Sequence, residues 1–449
     1  MIPDALGLMA ANACYLAAGV GATCLLGLGW ARSIPDVGLA YMAGVAAVGL
    51  VGQLLLIGGI ALTVWQVVAL SAALLAAGAA VARRRTTGKQ AWRVRGALVA
   101  LVALVAAFLV LLGVDFLFQP LWKWDSWAMW TAKARSIVLL DGLDPGYFRT
   151  AALVPEHPLL LPAIEAIDFR FMGLNEQVLH LQFWLLVAGF LGALVALLRD
   201  VVPPLALWPV VAAILFAPAF AYQAATAYAD VPLALFFALA GVCAWRWLAL
   251  GGQWALGLLA LFAAATCATK FEGLLLVGAL LLVLVPLIAS SSRRRAALTA
   301  AVGLVALMGV VPWRLWMAAH DVHQYHSIAH GLDPETLWSR LDRIPTAVWA
   351  LLREMLDPSS WLLLVPVAVA AAVLAIAARE RRASVLALGT ALLIVCALTA
   401  VYWLTELPFE FHVESAPRVV AAPVLLLASL TPVLLGAAIH HRDARGSGK

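Results

Sequence analysis

The segment VALVAAFLVLLGVDFLF, residues 102–118, is a helix-length apolar run with a single acid near its end. Spanning the hydrocarbon core of a bilayer takes roughly 20 such residues. Runs of this kind recur along the 449-residue chain. In lipid every backbone N–H and C=O must be satisfied within the protein, so only helices and closed barrels can cross. The runs are continuous rather than alternating in polarity, which argues against a barrel and for an all-α, polytopic integral membrane protein. The composition agrees, with 65% hydrophobic and 12% charged residues and a mean hydropathy of +0.99.

Hydropathy places about 13 spans, near residues 5–29, 37–60, 62–82, 96–119, 179–198, 204–221, 229–249, 253–269, 272–289, 297–318, 359–378, 384–403 and 417–437. The N-terminus lacks a basic region, so the first span is expected to stay in the mature protein. Cys14, Cys24, Cys243, Cys267 and Cys396 lie in apolar runs without metal or redox spacing and read as buried small hydrophobes.

Basic residues cluster at 83–95, at Arg293, Arg294 and Arg295, at Arg379, Arg381 and Arg382, and in the tail from 439 to 449. With the expected spans, all four clusters share one side, which the positive-inside rule makes cytoplasmic. Of the 24 Asp and Glu residues, all but Asp36, Asp200, Glu380 and Asp443 then fall on or near the outer side. Most of this polarity sits in two outer loops, 120–178 and 319–358. The span centres, by contrast, read as Leu, Ala and Val. Alternating-access transporters usually carry polar groups at the midplane within internal repeats, so a one-sided polar cap favours an enzyme acting at the outer face.

Five short motifs lie on that face. In LWKWDSWAMWTAKA, Asp125 stands among Trp122, Trp124, Trp127 and Trp130. It can cap a helix running from Ser126 to Leu140, or act chemically, while the tryptophans can form an interfacial belt. Lys133 and Arg135 on this helix are expected to meet lipid phosphates. After a DGLDPG turn, Glu156 and His157 precede Pro158, which can open a second interfacial helix bearing Glu165 and Asp168. In TAYADVP, Asp230 lies at a span mouth, again in a good capping position. In ATKFEG, Lys270 and Glu272 occupy a tight connection, with snorkelling as the plainer reading of the lysine. In LTELPFEFHVESAPRVV, Glu406, Glu410, His412, Glu414 and Arg418 precede the last span. Arg418, beside the N-terminal amides of that span, suits a phosphate better than a helix cap. Separately, His320, His323, His326 and His330 share one face if helical, which zinc could use; a polar loop is the alternative. No Gly-rich nucleotide loop or basic, aromatic-studded nucleic-acid surface is evident.

In order, WDSWAMW, EHPLLLPAIEA, AYADVP, TKFEG and SAPRVV resemble motifs of the GT-C superfamily of integral-membrane glycosyltransferases. The similarity is to bacterial relatives of the protein O-mannosyltransferases and the lipid A aminoarabinose transferase. It covers roughly residues 96–438. Residues 1–95 have no counterpart, and no large soluble C-terminal domain follows, leaving 439–449 as a cytoplasmic tail.

The resemblance implies transfer of a sugar from a polyprenyl-phosphate donor to a glycan, lipid or protein acceptor, in a bacterial inner membrane with the site facing the periplasm or exterior. It implies inversion at the anomeric carbon, with Asp125 as base and Lys270 and Arg418 on the donor phosphate. Asp230 would orient the acceptor or a divalent cation, the one cofactor the reading leaves open. Trp124, Trp127, Glu156, His157, Glu272, His412 and Glu414 would bind substrate. A lipid-linked glycan ligase of the O-antigen ligase type and a lipid-linked sugar flippase are the alternatives.

Overall fold

A computed structural model describes residues 2–82, 96–150, 154–324, 333–405 and 408–446, with side chains as far as Ile439. The described residues form helices and no strand. The first four helices are α1 (Ile2–Leu25), α2 (Ile34–Ile57), α3 (Val64–Val81) and α4 (Gly96–Phe118). A wide π-helical turn, Asp125–Trp130, leads into α5 (Thr131–Leu139), followed by α6 (Pro145–Phe148) and α7 (Leu160–Met172). Then come α8 (Glu176–Leu198), α9 (Pro204–Phe216), α10 (Pro218–Ala225), α11 (Asp230–Leu250), α12 (Gln253–Thr269) and α13 (Glu272–Ala289). The chain continues through α14 (Arg293–Leu307), α15 (Val311–Ala319), α16 (Pro334–Ser339), α17 (Arg343–Leu356) and α18 (Pro358–Trp361). It finishes with α19 (Leu364–Ala377), α20 (Arg381–Ser384), α21 (Thr390–Leu404), α22 (Phe409–Val419) and α23 (Ala421–Gly446).

Among the described residues, 10 helices are long and apolar enough to cross a membrane, or up to 11 when α9 and α10 count as one bent span. The bend is 54°, and Pro218, which cannot donate to the ladder, opens its second limb. The other two expected segments are shorter apolar helices: α12 has 17 residues and α19 has 14. At 1.5 Å per residue these fall short of the roughly 30 Å core, so length alone identifies fewer spans than the expected 13.

Polar contacts gather at two ends of the bundle. At one end Arg199 pairs with Asp36 at 2.6 Å, Arg246 with Asp200 at 2.7 Å, and Arg382 donates to Ser290 Oγ at 3.2 Å. Two of the basic loops expected on one side are therefore neighbours; the cluster at 83–95 lies outside the described residues. The opposite end carries the contacts among the five outer-face motifs.

The N-terminal helices are integral to this bundle rather than an appendage. Gly19 and Gly44 let α1 and α2 touch: a Cβ at Gly19 would meet the Ala40 carbonyl oxygen at 1.6 Å. Small residues at such a crossing are how membrane helices approach. Polar contacts then join α1 and α2 to the remainder. Asn12 donates to Gln182 Oε1 at 2.9 Å, Tyr41 to Asn12 Oδ1 at 2.7 Å, and Gln53 Nε2 to the Gly309 carbonyl at 2.8 Å.

Three expectations need correction. The helix after Pro158, α7, is not interfacial; every residue from Leu160 to Phe169 is buried, packed against α1, α2 and α5. Lys133 does not reach outward for phosphates, while Arg135 stays half exposed. Lys133 is fully buried and donates to the Val154 carbonyl at 3.0 Å, and Arg135 pairs with Glu176 at 2.6 Å. Of the cysteines, Cys24, Cys243 and Cys267 are buried, but Cys14 is half-buried and Cys396 exposed; both lie on apolar helices whose outer faces are themselves apolar.

Candidate functional site

The site is assembled where the helix ends meet. Asp125 begins the π-helical turn, and it does not cap it: Trp124 holds the capping position without a side-chain bond. The Asp125 carboxylate instead turns to the far end of the sequence, where its Oδ2 accepts a hydrogen bond from Arg418 Nη1 at 2.5 Å. The Arg418 guanidinium also lies over the Tyr228 ring, 4.9 Å from its centroid. π-helical turns are uncommon and often mark functional sites, because the extra residue per turn re-aims side chains.

Arg418 lies in the last turn of α22, just before a one-residue break at Val420, and α22 and α23 together make one 31-residue span, Phe409–Ile439.

A second cluster is built by the α12–α13 connection. Lys270 is extended there, and Gly273 brings α13 back onto α12 so closely that a Cβ would sit 2.1 Å from the Thr266 carbonyl oxygen. This tight return turns the lysine inward rather than letting it snorkel. Lys270 Nζ meets Asp230 Oδ1 at 2.9 Å and Glu272 Oε1 at 3.0 Å, with Lys270 and Asp230 buried. These two carboxylates hold the lysine's proton affinity above its ordinary value against the cost of burial. Asp230, like Asp125, is not the cap of its helix. Arg418 acts electrostatically on both Asp230 and Lys270. Asp230, Glu272 and Arg418, with apolar Leu233, Leu276 and Leu398, line one crevice of about 10 Å³, barely room for one water.

The third component is an aromatic stack. His157 is buried between Trp130, at 5.1 Å, and Phe271, at 5.2 Å, with both planes within 25° of parallel. One side of the imidazole therefore touches the motif that holds Asp125, and the other the motif that holds Lys270. The segment under it is pinned from three sides. Gln53 Oε1 accepts from the Leu159 amide at 3.0 Å, Trp313 Nε1 donates to the Pro155 carbonyl at 2.8 Å, and Lys133 holds Val154. Val154 has a φ of 46°, an uncommon conformation for a β-branched residue. Burial lowers the proton affinity of Lys133 to about 7, partly offset by the charge of nearby Glu156. Glu156 is itself buried.

Other expected residues are placed apart from this centre. Trp124 and Trp127 are about half exposed, as is Trp122; of the four tryptophans only Trp130 turns inward. His412 bonds Thr405 Oγ1 at 2.8 Å and tilts against Tyr402, which is electrostatically coupled to Lys270, Glu272 and Arg418. Glu414 is exposed on α22, and Glu406 lies outside the described residues. His320 and His323 do not share a helical face: α15 ends at Ala319, His320 stacks on Trp316 at 4.4 Å, and residues 322–324 are not helical. His326 and His330 lie outside the described residues. Among the described residues, no group of three or more His, Cys, Asp and Glu is placed to hold a metal ion.

Tyr228, Trp130, Phe271 and Lys133 join the site without having been singled out for it. Tyr228 sits two residues before Asp230 in AYADVP, and Phe271 lies between Lys270 and Glu272, so adjacency to a motif was the available signal. The buried depth of Trp130 and Lys133 depends on α7 being packed inside, which periodicity does not reveal. Comparison with protein-family models, curated proteins and solved structures finds no match to this chain.

Proposed function

We propose that this integral membrane protein is a glycosyltransferase that takes a sugar from a polyprenyl-phosphate donor at one end of its helix bundle. The observation that carries the reading is the Asp125–Arg418 pair beside the Asp230–Lys270–Glu272 cluster. It joins a carboxylate to a cation that segments 293 residues apart bring together, with a second cation close by.

In this reading the acceptor hydroxyl attacks the anomeric carbon, and the bond from that carbon to the phosphate oxygen breaks. The electron pair stays on the phosphate, and the hydroxyl proton passes to Asp125. Arg418 and Lys270 offset the charge that develops on the departing phosphate, the kind of fixed electrostatic aid that is strongest where water is scarce. General-base assistance contributes roughly 10²–10⁴-fold to such steps. The exposed Trp124 and Trp127 offer aromatic surface at headgroup depth for the donor lipid, and His157 and Glu156 face the sugar. Asp230 is held by Lys270, which suits a role in fixing that lysine as much as in orienting an acceptor or a divalent cation. The localisation that goes with this reading is a bacterial inner membrane, with the site outside the cytoplasm.

The test is donor turnover by purified protein, read as polyprenyl phosphate released. Asp125→Asn should lose at least 10²-fold of turnover while remaining folded. Near-normal release by this variant would remove Asp125 from the reaction. Flipping without chemistry would leave the donor intact in every variant.

A further inference from the structure

Helix α7 carries two carboxyl groups that the proposed chemistry does not use. Glu165 and Asp168 are three residues apart on one face, and both are fully buried. Asp168 Oδ1 accepts from the Tyr15 hydroxyl at 2.9 Å, but its Oδ2 has no hydrogen-bond partner. Both Glu165 oxygens lack one as well. The Thr131 hydroxyl from α5 lies against Glu165, buried and likewise without a hydrogen-bond partner.

Among the described residues the surroundings supply no compensating cation. From α1 the pair meets Tyr15, with Cys14 next to it; from α2, Tyr41; from α8, Glu176. Helix α3 has no titratable side chain and α12 only Cys267. On α5, Lys133 is committed to Val154 and Arg135 to Glu176. On α7, Arg170 pairs with Asp141 on the outside. What is missing around these oxygens is therefore a donor, and two ionised carboxylates here would be buried charges without partners, whose lost hydration nothing offsets.

We propose that Glu165 and Asp168 form a buried proton-binding site, and that the bound proton latches α5 onto α7, beside the Tyr15 bond that already ties α1 to it. A protonated Glu165 can donate through one oxygen to Asp168 Oδ2 while the Thr131 hydroxyl donates to the other, which would satisfy all four open atoms. Burial raises both carboxyls well above the carboxylate range, Glu165 further so by the charge of its neighbour. The latch supports the outer end of the bundle, because α2 rests on the same helix and carries Gln53 to the segment beneath His157. It does not depend on which reaction the site performs.

The experiment is infrared spectroscopy of the purified, membrane-reconstituted protein across pH, in unlabelled form and with ¹³C-labelled aspartate. A protonated-carboxyl carbonyl band is expected at about pH 7, far above the ordinary carboxyl range near 4. It should shrink in Glu165→Gln and in Asp168→Asn, whose amides mimic the protonated acids. Unfolding temperature supplies a second reading. A group whose folded pKa is raised holds more protons folded than unfolded, so its stabilisation fades as pH rises above about 4. Wild type should therefore lose stability relative to the Glu165→Gln/Asp168→Asn variant as pH increases, a difference in which other titrating groups such as Lys133 cancel. Should the variants not fold, the labelled wild-type band still decides. The proposal is overturned if no protonated-carboxyl band exists at neutral pH, or if sodium in place of choline abolishes the band, which would make the ligand a metal cation.

Discussion

Lys270→Met removes the one cation lying between two carboxylates. Its side chain is 9% exposed, and those of Asp230 and Glu272 are 6% and 14%, so solvent can relieve little of the resulting repulsion. At 2.9 Å and 3.0 Å, each contact carries about 6 kcal/mol of attraction in an effective dielectric near 20, before desolvation is set against it. Most of that attraction offsets the cost of burying the charges. Breaking a buried pair on one side nonetheless typically costs about 3–5 kcal/mol, because the stranded charge keeps its desolvation penalty. Lys270→Met is therefore expected to lose that much stability. The assay is intrinsic tryptophan fluorescence on thermal or denaturant unfolding in detergent. The reasoning makes a sharper demand of the double variant: Lys270→Met with Asp230→Asn should recover at least half of the loss, since it removes the stranded charge. If Lys270→Met is as stable as wild type, or the second substitution restores nothing, the cluster is not a compensated buried triad.

Other perturbations reach the site through its supports. Gln53→Ala, which strands the Leu159 amide and the Gly309 carbonyl, should cost about 1–3 kcal/mol and lower turnover without touching substrate; unchanged turnover would sever the N-terminal helices from the site. His157→Leu should lose about 0.5–1.5 kcal/mol of ring stacking but most of its sugar-donor affinity, measured against polyprenyl phosphate lacking the sugar. Lys133 supplies a pH test. Its folded pKa is depressed to about 7, so the folded protein binds fewer protons than the unfolded one from there up to the ordinary lysine value near 10.4. Stability from this group should rise with pH across that window by about 1.4 kcal/mol per unit, and Lys133→Met should flatten the slope.

What could be read from the chain beforehand follows the physics of each feature. Apolar length is a local property, so the helical class and the places of the long apolar helices were visible in runs such as 102–118, while short helices such as α16, α17 and α22 were not. Motif positions were visible too, because Asp125, Asp230, Lys270 and Arg418 are polar residues at the edges of apolar runs, where they stand out. Their pairing was not. That Asp125 meets Arg418, and Lys270 meets Asp230, depends on which helices neighbour one another, information that no single segment carries. The placement of α7 failed for a related reason. Its Pro, Glu and Asp read as surface residues, yet α1 and α2 pack over it, and Asp168 finds the Tyr15 hydroxyl instead of water.

The Asp125–Arg418 pair makes a further demand on the proposed mechanism. If Arg418 binds the donor phosphate, the phosphate must take the place that Asp125 now holds, because both are acceptors for the same guanidinium. Donor binding then does two things in one exchange: it neutralises the new anion and frees the carboxylate to accept the hydroxyl of the acceptor. It follows that Asp125→Asn should bind polyprenyl phosphate more tightly than wild type, although it transfers nothing. The side chains of the pair are 28% and 26% exposed, so solvent screening keeps the competition small, about 0.2–1 kcal/mol. That corresponds to a gain of up to about fivefold in affinity. Titration of the purified protein with polyprenyl phosphate measures it, and the same substitution in an Arg418→Ala background should gain less. Weaker binding by Asp125→Asn would mean that Asp125 holds Arg418 in its binding pose rather than competing for it, and the exchange would have to be abandoned.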